Sequence, residues 1–377
     1  VLKWRYGYTH YYTYKLMIEF LPSLLAAALI TFGLTPLVIR FARQHGLVDD
    51  PKHRYHPAHT HKGVIPRAGG LALFLGIATM MLIALPMNPQ IMGIIVGSVI
   101  LMIVGLFDDK RDVNPYIRLG TNILVAIIVV ATGSSIPFIT NPLTGGVLPL
   151  SIWSFAIELG GNSVVIGLPH FLAIIWIVWT MNIIGWSAGV DGQMPGYVAI
   201  SAFILGLLSL RYSLLDANQI WVTILAFIVA GAYVGFLPWN FYPQKIMPGY
   251  GGKTLAGFFL ALLGILSFAK LGTALLVLGI PMLDAVATLI RRIGLRKSPV
   301  LADRGHLHHR LLDLGWSKPK IALFYWGVSA ILGLVSLTVT STLKVFTFVA
   351  VAVALSMFLV WVSFFTQFSK QQDHDSG

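Results

Sequence analysis

Two adjacent carboxylates, Asp108 and Asp109, with Asp112 close behind, end an apolar run at Gly105-Leu-Phe-Asp-Asp-Lys-Arg-Asp112. Neighbouring acids repel unless a cation or base sits beside them, so such a pair at the end of a membrane-type helix suits a hard divalent cation and a diphosphate. An ordinary charged stop to a span would occupy the same place, but on the cytoplasmic face such stops are usually basic. A second constellation, Asp303-Arg304-Gly305-His306-Leu307-His308-His309-Arg310, concentrates imidazole and guanidinium donors. Its crowded histidines point around a helix rather than to one centre, and no cysteine completes a zinc set. It therefore reads as a grip for an anionic nucleotide. If a helix starts near Gly305, His306 and Arg310 share a face.

Three more stretches carry polar groups beside glycines. Asn182 and Asp191 flank an apolar run that breaks on Gly185, Gly189 and Gly192, and can present side chains and backbone to a ligand. Asn240 lies in a Pro-bounded loop ending Gly249-Tyr-Gly-Gly-Lys253. Glycines and a Lys at a helix start look like an anion cradle, with a snorkelling Lys as the competing reading. An earlier loop holds His45, His53, His56, His59 and His61, then Lys62 and Arg67 before Gly69-Gly70. The histidines read as a solvated basic loop, while Lys62 and Arg67 are candidates for phosphate contacts.

The elements that must position these groups follow from composition. Of 377 residues 56% are hydrophobic and 11% charged, and mean hydropathy is +0.80, too apolar for a soluble globule. Runs of about 17–25 apolar residues predict an all-α integral membrane protein, a polytopic bundle of about eleven transmembrane helices. The spans fall near 16–40, 68–87, 91–107, 117–136, 170–187, 195–210, 219–238, 253–269, 271–289, 319–341 and 343–366. Turn residues between β-branched runs in 137–169 add a small β-hairpin on the outer face. Residues 1–15 read as an outer segment without the apolar core of a signal peptide, 16–366 as one transmembrane domain, and 367–377 as a disordered cytoplasmic tail. Of the 26 Lys and Arg, all but Lys3, Arg5, Lys15, Arg211, Lys270 and Lys344 fall on one side. That side is the cytoplasm, and the net charge of +12 is a positive-inside bias rather than a nucleic-acid surface. Absence of cysteine excludes disulfide scaffolds and thiol catalysis.

With these residues in view, the chain resembles the polyprenyl-phosphate N-acetylhexosamine-1-phosphate transferases, in the branch using UDP-GlcNAc-type donors. Asp108-Asp109-Lys-Arg-Asp112 is similar to that family's acidic motif. Asp303 to Arg310, with Asp284 and Arg291-Arg292 upstream, is similar to its final loop. His61, Pro66 and Gly69-Gly70 fit its first loop, and Asn240 with Pro243 its fourth. Two patterns depart: one Asn and one Asp are replaced by Gly185 and Ala188, and an Asp is replaced by Tyr250. The resemblance implies transfer of a sugar-1-phosphate from a UDP-N-acetylhexosamine to undecaprenyl or another polyprenyl phosphate, releasing UMP, at the cytoplasmic side of the plasma (inner) membrane. It implies Mg²⁺ or Mn²⁺ held by Asp108 or Asp109 with Asp191. Lys62, Asn182, Asn240, Lys253, Asp303, Arg304, His306, His308, His309 and Arg310 would contact substrate. The bilayer is the other partner, nucleic acid is not, and a homodimer is compatible with the pattern. Alternatives at this stage are a divergent or inactive member, or a transporter or flippase of anionic lipid intermediates.

Overall fold

Apolar runs become helices, and Asn-Pro pairs set where two of them begin. In the computed structural model, residues 2–52, 60–61, 63–141, 144, 146–159, 162–267, 270–296 and 305–375 are described. Helix α1 (Leu2–Gln44) leads to a minimal ladder in which β1 (Val48–Asp49) pairs with β2 (Ile65–Pro66) and closes the first inner loop. Next come α2 (Gly69–Ala84) and α3 (Pro89–Arg111), the latter capped by Asn88, which accepts from Ile91 N at 2.9 Å. The same device starts α4 (Pro115–Ala131), where Asn114 accepts from Tyr116 N at 2.9 Å. In both, Pro fills a first-turn position that needs no N–H donor.

Segment 137–169, expected to carry one hairpin on the outer face, forms two antiparallel strand pairs: β3 (Phe138–Thr140) with β4 (Val147–Pro149), and β5 (Ser154–Leu159) with β6 (Asn162–Gly167). The chain continues through α5 (Leu168–Ser187), α6 (Gln193–Tyr212), α7 (Asn218–Asn240), α8 (Gly249–Leu266), α9 (Lys270–Val277), α10 (Gly279–Gly294), α11 (Leu307–Asp313), α12 (Lys318–Thr338) and α13 (Ser341–Asp375). Helix α13 runs through most of the residues expected as a disordered tail.

Helices α6, α7 and α8 are apolar all round and form the centre, with α1 on α7, α5 and α3 on α8, and α12 on α6. Peripheral helices expose Leu29, Phe107 and Ile331 to the lipid. Among the described residues, seven helices are long and apolar enough to cross a bilayer: α1 from Phe20, α3, α5, α6, α7, α8 and α12. The pair α9–α10, bent by 82° at Leu278, makes an eighth. Helices α2, α4 and the apolar part of α13 are shorter. By length and composition seven or eight of the about eleven expected spans are met among the described residues, and every expected stretch falls on a helix or on the bent pair. Turns 112–114, 188–192 and 241–248 collect at the end of the bundle where α3 and α5 finish. There the first inner loop is zipped to loop 241–248 by Met247 N to Pro66 O (2.7 Å), Gly69 N to Met247 O (3.0 Å) and Gly70 N to Pro248 O (2.8 Å).

Candidate active site

Helix α3 stops on its acids because Asp112 takes a left-handed conformation (φ 48°). Asp108 and Asp109 are fully buried. Asp108 Oδ1 accepts from Val113 N (3.1 Å) and lies 3.3 Å from Arg118 Nη1 on α4. The Arg118 guanidinium sits over the Tyr250 ring, 5.2 Å from its centroid, and the Tyr250 hydroxyl donates to Asn122 Oδ1 at 3.3 Å. Asp109 Oδ1 accepts from Tyr250 N (2.8 Å), in the first turn of α8, and lies 3.6 Å from Arg67 Nε. Gly249 has φ +67°, and a β-carbon there would strike Arg67 O and the Asp109 carboxylate, so glycine is what lets α8 begin this close. The glycine-rich helix start expected to cradle a substrate anion therefore cradles an anion of the chain itself. Asp108 Oδ2 and Asp109 Oδ2 are buried with no hydrogen-bond partner.

Arg67 serves several acids, its Nη1 lying 3.9 Å from Asp49 Oδ1 and 3.7 Å from Asp112 Oδ1. Asp49 Oδ2 also meets His61 Nε2 at 3.1 Å. Lys253, on the same first turn of α8, is within electrostatic range of Asp108, Asp109, Asp49 and Arg67, and also of His308.

The turn between α5 and α6 is a second junction. Asp191 Oδ1 pairs with Lys318 Nζ at 2.9 Å, and Asp191 Oδ2 accepts from Gln244 N at 3.2 Å. Gly192 N donates to Asn240 Oδ1 (3.0 Å), while Asn240 Nδ2 donates to Gln244 Oε1 and Ile246 O. Trp326 Nε1 donates to Gly192 O (3.1 Å) and Thr60 Oγ1 to Gly189 O (3.2 Å). Asn182 turns its amide nitrogen back to Val178 O at 2.7 Å.

Against this turn rests α11, which starts at Leu307, two residues after the Gly305 start considered from the sequence. His306 is its N-cap, and Asp284 on α10 takes His306 Nδ1 at 3.0 Å and Leu307 N at 2.8 Å. The His308 ring packs directly on Gly189, where any side chain would collide. His306 and His308 are parallel at 5.8 Å, and His308 and His309 lie 4.2 Å apart, all three buried. Burial, with His309, His306 and Lys253 adding positive surroundings, pushes the His308 imidazole well below its ordinary value and keeps it neutral. Arg310 Nε donates to Gly305 O at 3.0 Å.

Glycosyl transferase family 4 matches residues 91–268, from the start of α3 to the end of α8. A Bacillus subtilis (strain 168) protein described as a probable undecaprenyl-phosphate N-acetylglucosaminyl 1-phosphate transferase is 28% identical over 356 residues, covering 92% of this chain and 89% of that protein. The decaprenyl-phosphate N-acetylglucosaminephosphotransferase of Mycobacterium tuberculosis (strain H37Rv) is 28% identical, over 80% of this chain and 78% of its own. A Thermotoga maritima undecaprenyl-phosphate alpha-N-acetylglucosaminyl 1-phosphate transferase is also 28% identical, over 75% and 78%. The chain is thus similar to polyprenyl-phosphate N-acetylglucosamine-1-phosphate transferases over most of its length, and the glycosyl transferase family 4 model matches just under half of it.

These similarities support, at the level of the family, a phosphotransferase-type reaction on a polyprenyl phosphate in membrane-linked glycoconjugate synthesis, of the kind that depends on a divalent cation. The multi-pass architecture accords with the inner membrane. The residues fit such a cation at Asp108 and Asp109, whose two orphaned buried oxygens form a hard donor set. Asp191, expected to share the cation with them, presents no orphaned oxygen here. Both its oxygens are already engaged, and among the described residues no group of three acids or histidines gathers as a metal cage. Asn240, also expected at the substrate, spends its amide bracing the loop before α8. Lys62, Asp303 and Arg304 lie outside the described residues. Sequence reasoning assigns no role to Asp49 or Lys318. Lys318 acquires one from its partner in space, Asp191.

Proposed function

We propose that this transferase moves N-acetylhexosamine-1-phosphate from a UDP-N-acetylhexosamine to undecaprenyl phosphate at the cytoplasmic end of the bundle. An oxygen of the lipid phosphate attacks the β-phosphorus of the donor. The bond from that phosphorus to the bridging oxygen breaks, its electron pair leaves on UMP, and a lipid-linked sugar diphosphate remains. One phosphoanhydride is exchanged for another, so the main task is to hold several negative charges together. When bound at the free oxygens of Asp108 and Asp109, Mg²⁺ or Mn²⁺ supplies charge neutralisation of the donor diphosphate.

The chain's own groups do the rest. Lys253, with Arg67 and Arg118 behind the carboxylates, provides fixed positive charge where the two phosphates meet. The second carboxylate of the Asp108/Asp109 pair orients the lipid phosphate. Neutral His308, whose Nδ1 is buried without a partner, offers a hydrogen bond to the donor, alongside His309 and Arg310. His306 serves by fixing the start of α11 through Asp284. Lys62, Asp303 and Arg304 complete the donor grip, with Asn182 offering its carbonyl oxygen.

The observation that supports this reading is loop 241–248, which bonds Asp191 in the turn that seats His308 and leads into the first turn of α8, where Tyr250 N holds Asp109. Donor grip and cation site thus share one end of the bundle. The test is purified protein in detergent with undecaprenyl phosphate, Mg²⁺ and radiolabelled UDP-GlcNAc or UDP-GalNAc. Labelled lipid and stoichiometric UMP are expected. No turnover with either sugar, or undiminished turnover in Asp108→Asn/Asp109→Asn, would contradict it.

A further inference from the structure

We propose that Asp191 is a positioning residue: by pairing with Lys318 it docks the α11–α12 hairpin, and with it His308, on the 189–193 turn. What His308 then grips rests on the transferase reading above. Asp191 has no oxygen to spare, since Oδ1 takes Lys318 Nζ and Oδ2 takes Gln244 N. The pair is well shielded, with side-chain exposures of 15% for Lys318 and 3% for Asp191, so its geometry is held rather than averaged by water.

Position does the rest of the arguing. Lys318 is the first residue of α12, separated from α11 only by residues 314–317. His308 meets the turn at Gly189 and Lys318 meets it at Asp191, so one short turn receives the start of α11 and the start of α12. Trp326, further along α12, adds bonds to Gly192 O and Gln193 O at 3.1 and 3.2 Å. On its other side Asp191 holds Gln244, in the loop that leads into α8 and the Asp109 cradle, and Lys318 Nζ lies 5.6 Å from the Tyr242 ring centroid in that loop. Asp191 therefore ties the placement of the histidines to that of the twin aspartates.

A charge swap distinguishes this role from cation binding. Full-length Asp191→Asn, Lys318→Met and the double variant Asp191→Lys/Lys318→Asp are compared by UDP-GlcNAc KM and kcat, by Mg²⁺ half-saturation, and by hydrogen exchange of the α11 amides. The single variants should raise KM about tenfold, with Mg²⁺ half-saturation changed less than about twofold, and speed α11 exchange. The swap should bring KM and exchange back to within about threefold of wild type. A swap no better than the single variants, or an Asp191→Asn enzyme whose Mg²⁺ requirement rises tenfold or more, overturns the proposal. Should a single variant fail to fold, the swap alone decides. Exchange is read without turnover, so an inactive protein whose α11 loosens in the single variants and tightens in the swap keeps the brace and discards the transferase reading.

Discussion

Asp109 and Asp191 are both buried acids at the same end of the bundle, and they are used in opposite ways. Asp109, like Asp108, is held by one oxygen only, through Tyr250 N and Arg67, and leaves the other buried and unpartnered. Asp191, like Asp284, has both oxygens engaged, by Lys318 and Gln244 in one case and by His306 and Leu307 in the other. A half-satisfied buried carboxylate loses stability unless a ligand completes it, whereas a fully partnered one holds elements together. On the reading proposed above, the first kind marks where chemistry happens and the second marks what aims it. Both open acids lie on α3, and of the two partnered ones Asp191 lies within the residues matched by the family model while Asp284 on α10 lies beyond them, as do the partners Lys318 and His306.

The contrast can be broken most severely at Asp109. Asp109→Asn keeps an acceptor for Tyr250 N, so the fold should melt as wild type does while transferase activity falls by about a thousandfold or more in the labelled-lipid assay. At the closed acid the balance reverses toward stability. Lys318→Met strands a buried charge and should cost about 3 kcal/mol in thermal or denaturant unfolding, most of it recovered in Lys318→Met/Asp191→Leu.

His308 gives a smaller effect with a defined sign. Its value in the folded protein lies below 6.5, that of the free side chain, so the unfolded chain binds more protons as pH falls through that region. Stability should be complete above it and decline below it. Melting at pH 5 should therefore be lower than at pH 7, and His308→Gln should reduce the difference. The mildest change is Tyr250→Phe, which removes the bond to Asn122 but keeps the ring under Arg118 and the N–H to Asp109. Activity should drop by less than about tenfold, and a larger loss would give the hydroxyl a direct part in the reaction.

The helices were legible in the sequence because lipid imposes one condition, a long apolar run with internally satisfied backbone. What the sequence leaves open is how far a run crosses, since α2 and α4 are apolar yet short, and whether α9 and α10 count as one span when Gly279 and Pro281 follow an 82° bend. The acidic pair and the histidine segment stood out because their residue types are unusual at the end of an apolar run. The division of labour among the acids did not. Asp191 and Lys318 are 127 residues apart, and nothing local distinguishes a carboxylate that meets a cation from one that meets a lysine. The Gly249–Lys253 stretch left an anion cradle and a snorkelling Lys open as readings, and the carboxylate its backbone meets, Asp109, comes from another helix.

The central claim, that the open oxygens of Asp108 and Asp109 hold the cation and Asp191 does not, is tested most directly by electron paramagnetic resonance of Mn²⁺ titrated into the purified protein without substrates. The account predicts a bound Mn²⁺ signal that disappears in Asp108→Asn and in Asp109→Asn and persists in Asp191→Asn. A signal lost in Asp191→Asn and retained when both Asp108 and Asp109 are replaced would contradict it.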